Sequence, residues 1–420
     1  MSYQPAPALP DGPRALRADR PHVILGIDLT AAGARPGAHR ARGGFAALPF
    51  DGERFVRLVR TADRGRLDLV VLDETFLLHP GRGRVIGRLD AAVAAARVAP
   101  LAPGAGFVVG VDALHLDPAQ VASAIAGVER ASGGLAAWQV GLAPDADERI
   151  VGFAAVAARR TAAHWQHGGG GELAGLDPEG RRSVDHDGVR FAVRRPTPAR
   201  ALPQGRPPIS VRVRDAADVR LAATTADVVR LVAPDRAGVV ALRAALRDAI
   251  VAAGRDPGQV RVLAEVFVVL AEQDASAQAR LAMVRDLEGP DAGGGAVVVA
   301  GTPHDLARLV SEWAGAGVVD GFVLRPAALD ADLTAIVTGL VPELEERGLR
   351  PAEARAGTLR ERLALAAAAP QPAAVGPAAG QPAAAGRAAR QSAVATREGA
   401  GVGHPSGARR PARAGALQPA

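Results

Sequence analysis

Gly317-Val-Val-Asp-Gly-Phe-Val-Leu-Arg-Pro326, then Gly339-Leu-Val-Pro-Glu-Leu-Glu-Glu-Arg-Gly348 and Gly357-Thr-Leu-Arg-Glu-Arg-Leu363, is the stretch on which the reading of the fold turns. A short apolar strand runs into a loop at Arg325-Pro326. An amphipathic helix follows and stops at Gly348, because glycine takes the left-handed conformation that ends a helix at little cost. That is one β/α unit, and the chain upstream repeats it.

Working back, strands are expected near His22–Leu29, Leu67–Asp73, Gly106–Asp112, Ala136–Gly141, Ile209–Val213, Asp227–Leu231, Val260–Val269 and Val319–Leu324. Helices are expected near Gly52–Asp63, Leu89–Arg97, Pro118–Arg130, Ala146–Trp165, Ala216–Thr225, Arg236–Ala253, Ala275–Leu287, Pro303–Ala316 and Leu333–Arg347. Asp117-Pro118 and Thr302-Pro303 are strong starts, since an Asp or Thr side chain accepts from orphan amides and proline fits the first turn. Eight strands, each followed by a helix, favour a closed α/β barrel; periodicity alone leaves a doubly wound sheet open.

Composition narrows the rest. The 420 residues are 48% hydrophobic, enough for a large core, and contain no cysteine, which excludes disulfides and thiolate metal sites. No run reaches the roughly 18 apolar residues of a membrane span, and residues 1–20 have no apolar signal core. They read as a disordered leader of a cytoplasmic protein. Every basic residue is arginine. Six arginines against one glutamate lie beyond Leu365, so the net charge of +6 belongs almost wholly to residues 366–420. That Ala/Pro/Gly/Arg-rich tail lacks large apolar groups and is expected to be disordered. A near-neutral body with 3% aromatics argues against nucleic acid as a partner.

Residues 21–365 then form the barrel, interrupted at about 166–206 by an insertion after the fourth strand. It holds Gly168-Gly-Gly-Gly171, Asp185-His-Asp-Gly188 and a hairpin arm at Val189–Val193, and is expected to cross the mouth as a lid. His164 and His167 with Asp185, His186 and Asp187 are metal-ligating types. In a Gly-rich segment they read as solvated loop residues, so no metal site is expected. No zinc, Walker-type or nucleophile-elbow motif appears.

The wording of several segments resembles the bacterial-luciferase-like flavin monooxygenases, most closely the nitrilotriacetate and dibenzothiophene-sulfone monooxygenase branch. Gly188-Val-Arg-Phe-Ala-Val-Arg-Arg-Pro196 and Pro203-Gln-Gly-Arg-Pro-Pro-Ile209 follow its "G-x-x-F-x-V-R-G-P" and "P-Q-G-x-P-x-I". Gly65-Arg-Leu-Asp-Leu-Val-Val-Leu-Asp-Glu-Thr-Phe76 resembles "G-R-L-D-F-V-T-x-x-D-S-F", with Glu74 in place of the usual Asp. The resemblance implies a (β/α)8 TIM barrel with its reacting groups on the loops after the strands.

On that resemblance Asp73 and Glu74, ending strand two, lie close to a flavin ring. In Gly110-Val-Asp-Ala-Leu-His-Leu-Asp-Pro118, His115 matches the family histidine and is the catalytic candidate, able to donate to a flavin carbonyl and exchange protons. Asp112, Ala113 and Leu114 replace the family's flavin-bonding threonines. Trp138, in a segment resembling "L-S-x-G-R-A-G-W", either packs beneath the flavin or plugs the barrel, and Gln139 beside it joins the cofactor-binding candidates. Arg214 replaces a glycine/serine phosphate turn and binds phosphate or pairs with Asp215 or Asp218. The turn at Gly301-Thr-Pro303 offers helix amides as a second anion seat. Arg325 either faces the mouth or braces the last helix against Glu343.

What the resemblance implies overall is a two-component monooxygenase. Its partners are a separate reductase supplying reduced FMN, dioxygen and a small organic substrate; a homodimer is common in the family. Deazaflavin-dependent chemistry on the same barrel is the alternative. So is a non-catalytic barrel that has lost flavin binding, because the threonine run, the phosphate turn and the arginine near Trp138 are all replaced.

Overall fold

The computed structural model describes residues 22–30, 51–73, 89–141, 146–166, 182–187, 192–197, 202–353 and 356–367. By contacts the chain divides into Met1–Pro370 and Gln371–Ala420, and the second unit lies outside the described residues.

The first unit is a closed eight-stranded parallel barrel wrapped by helices, a TIM barrel. Its strands are β1 (Ile24–Asp28), β2 (Leu69–Leu72), β3 (Gly106–Gly110), β4 (Ala136–Val140), β7 (Ile209–Val213), β8 (Val228–Leu231), β9 (Arg261–Leu270) and β11 (Gly321–Pro326). Each pairs in parallel with the next, β8 pairs β9, β9 pairs β11, and β11 returns to β1. All eight expected strands form the barrel. The helices are α1 (Gly52–Arg64), α2 (Ala91–Val98), α3 (Pro118–Ala131), α4 (Glu148–Gln166), α5 (Ala216–Thr225), α6 (Arg236–Ala252), α7 (Asp274–Glu288), α8 (Pro303–Gly315), α9 (Leu329–Ala335), α10 (Val341–Glu346) and α11 (Leu359–Arg362). Asp51, Asp117, Asp215, Asp235 and Thr302 cap their helices through side-chain oxygens.

Two strands pair outside the barrel's ring, as an antiparallel hairpin of β5 (Arg182–Asp187) and β6 (Ala192–Thr197). The expected arm Val189–Val193 falls partly beyond the described residues. The barrel also carries a strand the sequence reading passed over, β10 (Val297–Gly301). β9 is ten residues long: its first half pairs with β8 and its second half with β10. β10 therefore takes over the edge of β9 where β8 ends. The expected single helix over Leu333–Arg347 is broken by a π turn at Ile336–Leu340. Pro342 explains it, since its ring lacks an N–H and crowds the carbonyl four residues earlier.

Strand alternation sorts the core into two layers. Leu25, Ile27, Val70, Leu72, Phe107, Val109, Trp138 and Val140 point outward into the layer beneath the helices. Ile24, Leu69, Val71, Val108, Ala137, Val228, Leu263 and Val323 point into the lumen, where they meet Leu359, Leu363 and Leu365 from the chain's last described turn. That turn plugs the N-terminal end of the barrel. The Leu359 amide donates to the Gly134 carbonyl, and Arg360 reaches Asp227 at 3.0 Å. Gly106 must be glycine here, because a Cβ would lie 2.5 Å from the Asp68 carbonyl and 2.8 Å from Leu359 Cδ1. Gln204, of the Pro-Gln-Gly stretch, ties the plug to the barrel by donating to Glu129 and the Ala136 carbonyl and accepting from the Arg360 amide.

Candidate active site

Toward the C-terminal ends of the strands the lumen changes from apolar to charged. Alternation places Asp28, Asp73, Asp112, Gln139, Ser210, Arg212, Arg230, Glu265 and Arg325 on the inner face. Arg230, 1% exposed, grips Asp73 with both terminal nitrogens at 2.7 and 3.0 Å and donates to Glu265 at 2.6 Å. Arg212 holds the same Glu265, 0% exposed, through Nε and Nη2 at 2.8 Å each. Arg325 stands 3.6 Å from both Glu265 and Asp28. Gln139 Oε1 accepts from Ser210 at 2.8 Å and from Arg230 at 3.1 Å, while its amide donates to the Val140 carbonyl. Three guanidiniums thus face three carboxylates over an apolar floor.

The balance of burial and pairing sets their protonation. Burial alone would push Glu265 up, but Arg212, Arg230 and Arg325 bring it down to about 2. Burial opposes charge on Arg230, yet Asp73 and Glu265 hold it well above its ordinary value. Asp28 goes the other way. Burial and then the adjacent Asp73 charge raise it, and Arg325 and Arg230 offset only part of that. Thr30 bridges the two carboxylate-bearing strand ends, its amide donating to Asp28 at 2.9 Å and its hydroxyl oxygen accepting from the Asp73 amide at 2.8 Å.

The sequence candidates distribute unevenly around this centre. Asp73 and Gln139 are part of it. Glu74 lies outside the described residues. Asp112, half-buried two residues past β3, accepts from the Leu114 amide at 2.7 Å and pairs with His115 Nδ1. The His115 ring itself is 73% exposed. Arg214 pairs with Asp218 at 2.9 Å, the second of the two options the sequence left, and its backbone amide donates to the same carboxylate.

Three expectations are corrected. Trp138 neither underlies a mouth ligand nor plugs the lumen: parity turns it outward, where it is fully buried, donates to the Val111 carbonyl and meets Trp165 edge-on at 5.9 Å. The amides at the start of α8 are no free anion seat, because Thr302 and Asp305 cap each other there. His164 is a buried residue of α4 rather than a solvated loop group, while His167 and the side chains of the Asp185–Asp187 stretch lie outside the described set. Arg325 faces the lumen; Glu343 is taken by Arg347 and His304.

Asp28, Ser210, Arg212 and Arg230 were missed. Their signal was present as polar residues at alternate positions in buried strands, Ile-Ser-Val-Arg-Val over 209–213 and Val-Val-Arg-Leu over 228–231. In a barrel such a face can only be the lumen.

A parallel barrel with charged side chains gathered at its C-terminal end defines an enzyme-type TIM barrel. Residues 29–289 match the family described as luciferase-like monooxygenase, and the chain belongs to it. It is 21% identical over 431 residues to the N-acetyl-S-(2-succino)cysteine monooxygenase of Bacillus subtilis, covering 82% of this chain and 96% of that one. It is 25% identical over 409 residues to the dibenzothiophene-sulfone monooxygenase of Rhodococcus erythropolis, covering 75% and 90%. Among solved structures, EDTA monooxygenase from Chelativorans sp. BNC1 superposes with a TM-score of 0.73 at 22% identity, over 82% of this chain and 98% of that one.

The family is flavin-dependent, so the fit of a flavin can be asked of these residues. The polar edge of an isoalloxazine carries both donors and acceptors. Asp73, held by Arg230, and the Asp112–His115 pair supply a matching mixed set at adjacent strand ends. The ring therefore fits this chemistry. The two seats expected for its phosphate, Arg214 and the α8 amides, are each satisfied internally.

Proposed function

We propose that the protein is a monooxygenase that takes reduced FMN from a separate reductase, together with dioxygen, and oxygenates a small organic substrate. The observation that carries this is the mixed donor and acceptor set at the mouth of a barrel belonging to the luciferase-like family. When bound, reduced FMN supplies the two electrons for oxygen activation. The chain's own residues do the rest. Asp73, gripped by Arg230 in a two-pronged ion pair, would accept a ring N–H and so fix the ring's orientation. Asp112 accepts from His115 Nδ1, which leaves Nε2 as the atom that takes or returns a proton. The apolar lumen beneath excludes water from below the reacting centre.

The family does not give the substrate. The relatives named above act on a polycarboxylate, a succinylated thioether and a sulfone, as their names state.

Fluorescence titration with FMN, followed by oxygen consumption with a flavin reductase and NADH, tests the reading. Saturable binding and reductase-dependent oxygen transfer to product are expected. A parallel titration with deazaflavin separates the alternative cofactor. The internally satisfied Arg214 and α8 amides favour a second reading, a family barrel without flavin affinity. Failure of both flavins to saturate at high micromolar concentration would establish that second reading.

A further inference from the structure

We propose that Arg325 and Arg212 form an anion subsite at the floor of the mouth that receives a carboxylate of the substrate, which makes the substrate a small organic acid. Calling the ligand a substrate rests on the oxygenase reading; the subsite itself does not.

Arg325 is a lumen-facing guanidinium, 17% exposed, with little to hold it. Its only hydrogen bond among the described residues runs from Nη1 to the Gly293 carbonyl at 3.0 Å. Its contacts with Asp28 and Glu265, both 3.6 Å, are too long for hydrogen bonds. Arg212, 25% exposed, spends Nε and Nη2 on Glu265 and has no described partner at Nη1. The two groups converge, because Arg212 Nη2 and Arg325 Nη1 both approach Glu265 Oε2, at 2.8 and 3.6 Å.

The charge count points the same way. Asp73 is committed to Arg230, so Glu265 alone is shared among three guanidiniums. Asp28 stands 3.6 Å from Arg325, beyond hydrogen-bond reach. The two partly exposed arginines therefore keep donors that no described carboxylate takes up. Donors left over on a planar guanidinium fork match a carboxylate in two-point, charge-assisted geometry, whereas a hydroxyl or sulfone is uncharged and binds there more weakly. The apolar layer beneath leaves the mouth as the side from which an anion can approach.

A flavin phosphate offers related chemistry, so the test has two arms. In the first, full-length protein with and without FMN is titrated calorimetrically with succinate, citrate and thiodiacetate, each against its carboxamide. At least one acid should bind about tenfold or more tightly than its amide, the scale of a charge-assisted hydrogen bond. Arg325→Gln should erase that preference, and Arg325→Lys should keep part of it. In the second arm, FMN and riboflavin are compared in wild type and Arg325→Gln.

Equal affinity for acids and amides in the wild type would overturn the proposal, and that comparison needs no variant to fold. So would a preference that survives Arg325→Gln. Loss of FMN affinity in Arg325→Gln with riboflavin affinity unchanged would assign the arginines to the flavin phosphate and overturn it as well. An acid preference in a protein that binds no flavin would remove the oxygenase reading and leave the subsite standing.

Discussion

Arg230 and Asp73, 157 positions apart in the chain, meet inside the barrel in a two-pronged ion pair of 2.7 and 3.0 Å. One side chain comes from the eighth strand in chain order and the other from just past the second. The pair exists only because the sheet closes. Arg230 also donates to Glu265 and Gln139, so it is the hub of the lumen's polar layer.

Removing that hub should be costly. Arg230→Gln leaves Asp73 without its guanidinium and strips Glu265 of one of three, in a site with little access to water. A loss of about 3–5 kcal/mol of stability is expected, the usual penalty for breaking a buried pair from one side. Urea unfolding with an unchanged slope measures it. A loss under about 1 kcal/mol would mean that water screens the lumen as it screens a surface pair.

Acid should weaken the fold in a defined window. Glu265 is held at about 2 against 4.5 for an ordinary glutamate, so between those values the unfolded chain binds the proton more readily. The stabilisation is complete above 4.5 and is lost as pH falls toward 2. Asp68, clasped by Arg350 at 2.6 Å and by His22, is also lowered and acts in the same direction. Asp28 has the opposite sign: its folded value is raised, so its ionisation destabilises the fold as pH rises. Asp28→Asn should therefore be neutral or stabilising at pH 7. Urea midpoints across pH 2–8 check both statements, and a destabilised Asp28→Asn at pH 7 would contradict the second.

The barrel was legible because its signal is local and repeated. β-branched runs of about five residues, Asp and Thr caps, and a glycine stop after the final helix recur along the chain. The break in the last helix does carry a local signal in Pro342, whereas the place of the β10 strand is not set locally. A run like Val297–Gly301 is a strand only because β9 outlasts β8, which is a long-range fact. The site was legible in part. Motif wording nominated Asp73, Asp112 and His115, which stand at neighbouring strand ends, and also Trp138, whose parity on β4 is opposite to that of Gln139. Arg212 and Arg230 carry no motif. They become visible only when the inward face of each strand is counted off in steps of two. Gln204 stood in the sequence only as part of a family motif, yet it joins three separate elements, because what it touches is brought there by the plug.

His115 separates folding from chemistry. Its ring is 73% exposed, so His115→Ala should change stability by no more than about 0.5 kcal/mol. Oxygenation should fall on the order of 10²-fold, the lower range for loss of a general acid–base group. Asp112→Asn should lower activity less, because an amide oxygen at the same place can still accept from His115 Nδ1. Turnover measured with reductase and excess FMN decides the matter. Unchanged turnover in His115→Ala would take the residue out of the mechanism.

Trp138 provides the complementary case, a residue whose wording suggested the cofactor and whose position serves the shell. Trp138→Phe keeps the ring edge against Trp165 but deletes the Nε1–H that reaches the Val111 carbonyl at 3.0 Å. That carbonyl immediately precedes Asp112, so its tether holds the base of the loop carrying the Asp112–His115 pair. A stability loss of about 1–2 kcal/mol is expected, combining an unmade hydrogen bond with a small void. FMN affinity should fall by no more than a few-fold, through the loosened loop, because the side chain itself lies on the far side of β4 from the lumen. Paired urea and fluorescence titrations of the one variant give both numbers. A large fall in FMN affinity at wild-type stability would reverse the assignment and place the indole against the flavin.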